Sequence, residues 1–267
     1  QGEAMFRDRI AIILGILMLT SSNEPRVFVQ NRIDYLSTPY EERERKAKEE
    51  KSKQVGLGYS FRYIFKHKQT RVILWASLIG GAATMAFFGY YEGIMAEAWG
   101  NGAEGSAMAS QALLVYPIGS AVMALLTGWL GDRIGRKATC LISAVVAVVG
   151  LFAFIFGAQN GWSPYLVGFI YGIEMGAYWG YTNTMGIAKN ELLPTEIRAS
   201  AVTAMAVITL PFTLIAGIVI GIVITLTNSI STVCLIWGIV TLGISLLIYA
   251  IFGRETKDAD LSNVQSD

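Results

Sequence analysis

Histidine is almost absent from this chain of 267 residues, in which His67 stands alone. One imidazole cannot build an HExxH zinc site, and the apolar runs hold neither a clustered His/Asp ligand set nor a Ser/His pair, which argues against an intramembrane enzyme. Cysteine is nearly as scarce. Cys140 and Cys234 both lie inside apolar runs and read as buried thiols, with no disulfide and no metal site between them. Charge is sparse as well, at 15% of residues against 53% hydrophobic, and it is clustered. That combination excludes an ordinary soluble domain and defines a polytopic membrane protein. No cofactor motif is present, and no cofactor is expected. The chain starts at Gln1 without a signal peptide and reads as a fragment.

Lys and Arg are missing from residues 72–132 and again from 138–188. Between the two gaps, residues 128–137 join two long apolar runs and hold Asp132, Arg133, Arg136 and Lys137. A tight basic turn between membrane-length segments reads as a short cytoplasmic hairpin. Gly128 and Gly131 allow close helix approach, and Gly135 allows a turn with φ > 0.

Six apolar runs are long enough to span a bilayer, at 72–96, 108–130, 138–158, 165–188, 199–226 and 231–252. The connections at 97–107, 159–164 and 227–230 contain no Lys or Arg, so they are expected outside, with 131–137, 189–198 and the tail after 253 in the cytoplasm. Ahead of the block, 10–20 is apolar but short, and 26–71 has twice as many Lys and Arg as Asp and Glu. The run 41–53 reads as a solvated helix or linker, not a nucleic-acid site. Lys66, His67, Lys68 and Arg71 form a basic cluster placed near lipid headgroups.

The pattern Gly128-x-x-x-Asp132-Arg133-x-Gly135-Arg136-Lys137 resembles the loop signature of the major facilitator superfamily, found there after the second and eighth transmembrane helices. Glu191, Pro194, Thr195, Glu196 and Arg198 are similar to the loop between its tenth and eleventh helices. Arg254, Glu255, Thr256 and Lys257 resemble the tail of its sugar porters without their preceding proline, and Glu24, Pro25 and Arg26 resemble the segment after the sixth helix. Tyr90 and Tyr91 are similar to the paired tyrosines of sugar porters. Their Gln-Gln pair and the proline and tryptophan signature of their tenth helix are not reproduced, and metabolite:proton symporters fit at least as well.

The resemblance implies an all-α membrane protein: the C-terminal half of a major facilitator fold, six helices preceded by part of a seventh and a cytoplasmic loop. Residues 1–22 would end an incomplete N-terminal half, 23–71 form a charged linker, 72–253 the six-helix domain and 254–267 a cytoplasmic tail. The function implied is secondary transport of a small solute (a sugar, an organic acid or a similar metabolite), coupled to protons, by alternating access in the cell's inner membrane. The partners are that solute, protons, the lipid bilayer and the absent N-terminal six-helix half. The alternative is a membrane sensor or scaffold that does not transport.

Two faces of the fourth run organise the candidate site. Gly168, Gly172, Gly176 and Gly180 recur every fourth residue and form a ridge suited to close helix contact. Tyr171, Glu174, Tyr178 and Tyr181 fall within an arc of about 80° nearly opposite. A carboxyl near the bilayer midplane is costly, so this face is expected to line a cavity, with Glu174 on a proton pathway. The first run echoes it with Thr84, Phe88, Tyr91 and Met95 on one face and Glu92 at its edge. The family's seventh and tenth helices, which these two runs resemble, both line its central cavity. Gly128, Asp132, Arg133, Gly135, Arg136 and Lys137, with Glu196 and Arg198, are expected to make contacts between the two halves that break and reform. Pro117 and Pro211 are expected to kink the second and fifth runs.

Overall fold

The computed structural model describes residues 57–194 and 197–257, together with Ile33, residues 36–39 and Glu42. The expectations for 1–22, for 41–53 beyond Glu42 and for Glu196 lie outside the described residues. The chain divides into two compact units, Gln1–Gln54 and Val55–Asp267. In the first, the described Ile33, Leu36, Ser37 and Glu42 are helical.

In the second unit every regular element among the described residues is helical. The order is α1 (Leu57–Lys66), α2 (Lys68–Ala82), a π-helical turn (Met85–Gly89), α3 (Tyr91–Trp99), α4 (Ala103–Ile134), α5 (Arg136–Gln159), α6 (Pro164–Glu191), α7 (Arg198–Thr227) and α8 (Ile230–Phe252). Five stretches are long and apolar enough to cross a membrane: Lys68–Gly89, Ala103–Ile134, Arg136–Gln159, Arg198–Thr227 and Ile230–Phe252. The sixth expected span, α6, has the length, but its tyrosines, glycines and Glu174 leave it less apolar. α4 and α5 both pack directly against it.

Helix boundaries follow local chemistry. Gly135, at φ +96°, makes the break between α4 and α5, a conformation that residues with a Cβ avoid. Pro164 opens α6 in the first turn, where its missing N–H costs nothing. Asn228 adopts the left-handed conformation between α7 and α8, and the Ser229 hydroxyl caps α8 by accepting from the Thr232 N–H. Pro117 and Pro211 lie inside α4 and α7, and both helices continue through them.

Two readings change. Part of the region read as a linker is helix α1, which packs its Ser60, Tyr63 and Ile64 inward; the Ser60 hydroxyl pairs with that of Ser200 at 2.8 Å. The first run is also not one helix. It breaks into α2, the π turn and α3, and wide turns of this kind loosen the backbone ladder. In a bilayer the affected carbonyls need donors, and neighbouring side chains supply them. Thr84 donates to Gly81 O at 2.6 Å, Tyr178 to Gly80 O at 3.1 Å and the Trp237 indole to Ala82 O at 2.9 Å.

The glycine ridge of α6 packs as expected. A Cβ at Gly168 would fall on the Ala112 carbonyl, one at Gly172 on that of Tyr116, and one at Gly176 within 2.9 Å of Ser120 Cα, so α4 lies directly against this face. α5 lies against another face of α6, where Gly150 leaves room for Glu174.

Candidate functional site

Among the described residues the tyrosine face of α6 is enclosed by protein. Tyr171, Glu174, Tyr178 and Tyr181 are each at most 2% exposed. Tyr171 lies among the rings of Tyr91, Phe154 and Tyr116 at centroid distances of 5.2, 5.1 and 5.6 Å. Tyr178 stacks on Phe87 at 4.9 Å, and its hydroxyl pairs with Thr84 at 2.7 Å. The Tyr181 hydroxyl meets Ser245 Oγ at 2.5 Å, and the Ser245 hydroxyl donates to Ala76 O at 2.6 Å. These hydroxyls bind α2 and α8 to α6. The sequence gives the angle between two faces of a helix but not which one meets protein, and here both do.

Glu174 is fully enclosed, and neither carboxyl oxygen has a hydrogen-bond partner among the described residues. Burying an unpaired anion is far costlier than burying the neutral acid. The echo in the first run is divided by the π turn. Thr84, Tyr91 and Met95 turn toward protein, whereas Phe88 is 43% exposed and Glu92 is exposed as well, accepting from the Tyr91 hydroxyl at 2.9 Å.

The open side of α6 is a third stripe, which the sequence reading passed over. Trp179 is 40% exposed, Asn183 is exposed, and the Trp179 ring meets Phe88 edge-on at 6.3 Å. Beside them a cleft of about 300 Å³ opens between α4 and α6. Its walls include Thr127, Trp179, Asn183 and Thr184, and it extends to Asp132 and Arg136. Thr127 and Thr184 donate their hydroxyls to their own helices, to Met123 O and Gly180 O, whereas no hydrogen bond of the Asn183 amide or the Trp179 indole N–H falls within the described residues. A tryptophan among tyrosines and an asparagine one turn beyond it were the available signal, which does not say which ring is open.

At the basic end, the α4–α5 turn is tied into its own bundle. Arg136 donates to Asp132 at 3.0 Å and to Glu191 at 3.2 Å. Glu255 accepts the backbone N–H groups of Arg136 and Lys137 at 2.8 and 3.0 Å, where the start of α5 favours a negative charge. Burial pushes the Glu255 carboxyl up, but the backbone N–H groups of Lys257, Arg136, Lys137 and Thr256 hold it below the usual carboxylate range. Lys137 reaches Gly253 O and Lys257 reaches Arg133 O, Thr256 donates to Glu191, and Arg198 donates to Leu193 O. Arg136, Lys137 and Arg198 are thus engaged within this unit rather than held free for another one. Asp132, with its side chain 80% exposed, stays open. At Gly128 nothing among the described residues lies within 4 Å of an added Cβ. Glu255 is the residue the sequence reading left without a role.

At the opposite end, Glu97 accepts from Ser229 Oγ and from the N–H and hydroxyl of Ser231, clamping α3 to the start of α8. Burial raises its pKa, and these hydrogen bonds more than offset that and lower it. Among the described residues, no group of three or more His, Cys, Asp or Glu is placed to hold a metal ion.

Membrane-length helices around a buried polar core, with a polar cleft on one open face, define a helical membrane protein. The chain belongs to the Major Facilitator Superfamily, whose family model matches residues 10–208, most of its length. It is an integral membrane protein of a family whose members are transporters, not enzymes. No curated protein and no solved structure matches it.

Proposed function

We propose that the chain supplies one half of a secondary transporter for a small solute, working by alternating access, with its open face closing against an N-terminal six-helix half. The observation that supports this is the cleft between α4 and α6. It places an indole N–H, a carboxamide and hydroxyl-bearing side chains on an open face, and it continues to the Asp132–Arg136 pair of the charged turn. A solute in such a cleft touches the same surface that ends in that turn, which links occupancy to conformation. Neutral hydrogen-bonding groups beside an aromatic ring suit a sugar or a comparable polar metabolite. Glu174, enclosed and unpaired, is the group we assign to proton coupling, and Glu92 the carboxylate reached from solvent. The end with Arg133, Arg136, Lys137 and Lys257 is assigned to the cytoplasm and the end with Glu97 and Glu104 to the outside, in the cell's inner membrane.

A thermal-shift screen of the detergent-solubilised protein against sugars, organic acids and amines tests this reading, because a ligand selective for the folded state raises its melting temperature. The expected result is a solute whose shift disappears in Asn183→Ala and Trp179→Ala while unliganded melting is unchanged. A ligand whose shift survives both substitutions would remove the cleft from the solute path.

A further inference from the structure

The basic end holds a second arrangement, apart from the cleft between α4 and α6. Lys68, Arg71, Val72 and Trp75 fall at i, i+3, i+4 and i+7, one stripe of α2. Ile248 and Phe252 make a matching ridge on α8. Between the two ridges runs an apolar groove of about 360 Å³ that opens to the outside of the bundle. The cations stand at its mouth. Trp75, 49% exposed, lies about 10 Å deeper along α2, and Phe252, 52% exposed, forms the facing wall. The groove is preformed, since the Trp237 indole and the Ser245 hydroxyl fix α8 to α2 through Ala82 O and Ala76 O.

A third cationic residue is tied to the same turn through its backbone: the main-chain N–H of Arg254 donates to Gln69 Oε1 at 3.1 Å, one residue from Lys68. The ion pairs of this end belong to Arg136, and neither Lys68, Arg71 nor Arg254 has a carboxylate partner among the described residues. Cations without a carboxylate partner among the described residues, at the end of two membrane-length helices and over an exposed groove of tryptophan, phenylalanine, isoleucine and valine, complement a molecule with an anionic head and a hydrocarbon tail. Tryptophan at such a level suits the boundary between headgroups and chains.

We propose that this groove is a binding site for an anionic phospholipid. Lys68 and Arg71 hold the phosphate, and the upper part of one acyl chain lies against Trp75, Ile248 and Phe252. The lipid would brace α2 against α8, below the π turn, whatever solute is carried.

Native mass spectrometry of the purified protein, with phosphatidylglycerol and phosphatidylcholine of the same chains as probes, tests the site. Wild type is expected to retain phosphatidylglycerol in preference. Lys68→Gln with Arg71→Gln should lower phosphatidylglycerol affinity about thirtyfold, as expected for two surface cations, and leave phosphatidylcholine unchanged. Trp75→Ala should weaken both lipids severalfold. Arg133→Gln with Lys257→Gln removes as many charges from the same end and should leave the preference intact. Three results would each overturn the proposal: a preference that survives Lys68→Gln with Arg71→Gln, an equal loss in the Arg133 and Lys257 pair, or displacement of the lipid by an equal concentration of sn-glycerol 3-phosphate.

Discussion

Glycines on the long helices should respond to alanine in opposite directions, according to what faces them. At Gly168 an added Cβ would fall on the Ala112 carbonyl oxygen and 2.6 Å from Ala112 Cα and C. Ordinary contact begins near 3.4 Å, so α4 and α6 would have to part by close to an ångström. The obstacle is backbone, which has no rotamer to change. Overpacking of this kind costs about 1–3 kcal/mol. Glycine to alanine also favours a helix by roughly 1 kcal/mol, which offsets part of that loss. At Gly128 and Gly186 nothing lies within 4 Å of the added carbon, so the propensity term stands alone. Comparing Gly168→Ala with Gly128→Ala and Gly186→Ala cancels propensity and leaves the steric term. At about 2–4 °C per kcal/mol for a unit of this size, Gly168→Ala should melt roughly 2–12 °C below the other two. Detergent-solubilised variants, followed by loss of the monodisperse peak after heating, provide the assay. If Gly168→Ala melts with or above Gly128→Ala, the ridge is not in contact with α4 and the assigned packing of α6 fails.

Three further outcomes are expected. Single cysteines at Asn101, Asn160 and Asn228 should react with an impermeant maleimide from outside intact cells and one at Ile134 should not; the reverse pattern would invert the topology. Glu174→Gln keeps shape and hydrogen-bonding capacity but cannot titrate, so in the assembled transporter it should exchange solute at equilibrium and lose accumulation driven by a pH gradient; undiminished accumulation would leave Glu174 a structural carboxyl. Glu255, whose pKa is lowered by folding, adds stability that is present above its unfolded pKa, near 4, and is lost as pH falls through its folded value. Glu255→Gln should therefore lower the melting temperature at pH 7 and converge on wild type in acid, and a pH-independent difference would show that its charge is irrelevant.

Much of the fold is legible in the sequence because membrane spans are written in long apolar runs. The second, third, fifth and sixth runs match α4, α5, α7 and α8 to within a few residues at each end. Gly135 is legible because the turn requires positive φ, and the ridge of α6 because its spacing of four leaves no other use for four glycines. The direction of each remaining face is not legible. In a soluble protein the apolar face turns inward, but in lipid the outside is apolar too, so Tyr178 and Trp179, adjacent in sequence, give no sign of which one is enclosed. The π turn hid itself for a related reason: Met85, Ala86, Phe87 and Phe88 continue the apolar run, and the shift in phase there takes Phe88 off the face of Thr84 and Tyr91. Glu255 was missed because its partners are backbone N–H groups of Arg136 and Lys137, more than a hundred residues away.

The proposed solute path runs on the Trp179 and Asn183 side of α6, and the Tyr171 and Glu174 side is enclosed. Cysteine accessibility measures that directly and needs no knowledge of the solute. Cys140 and Cys234 are buried and can be replaced to give a silent background. In native membranes, Asn183→Cys should then react with a small, water-soluble methanethiosulfonate, while Tyr171→Cys should stay inert until the protein is denatured. Rapid modification at position 171 with protection at 183 would contradict the account.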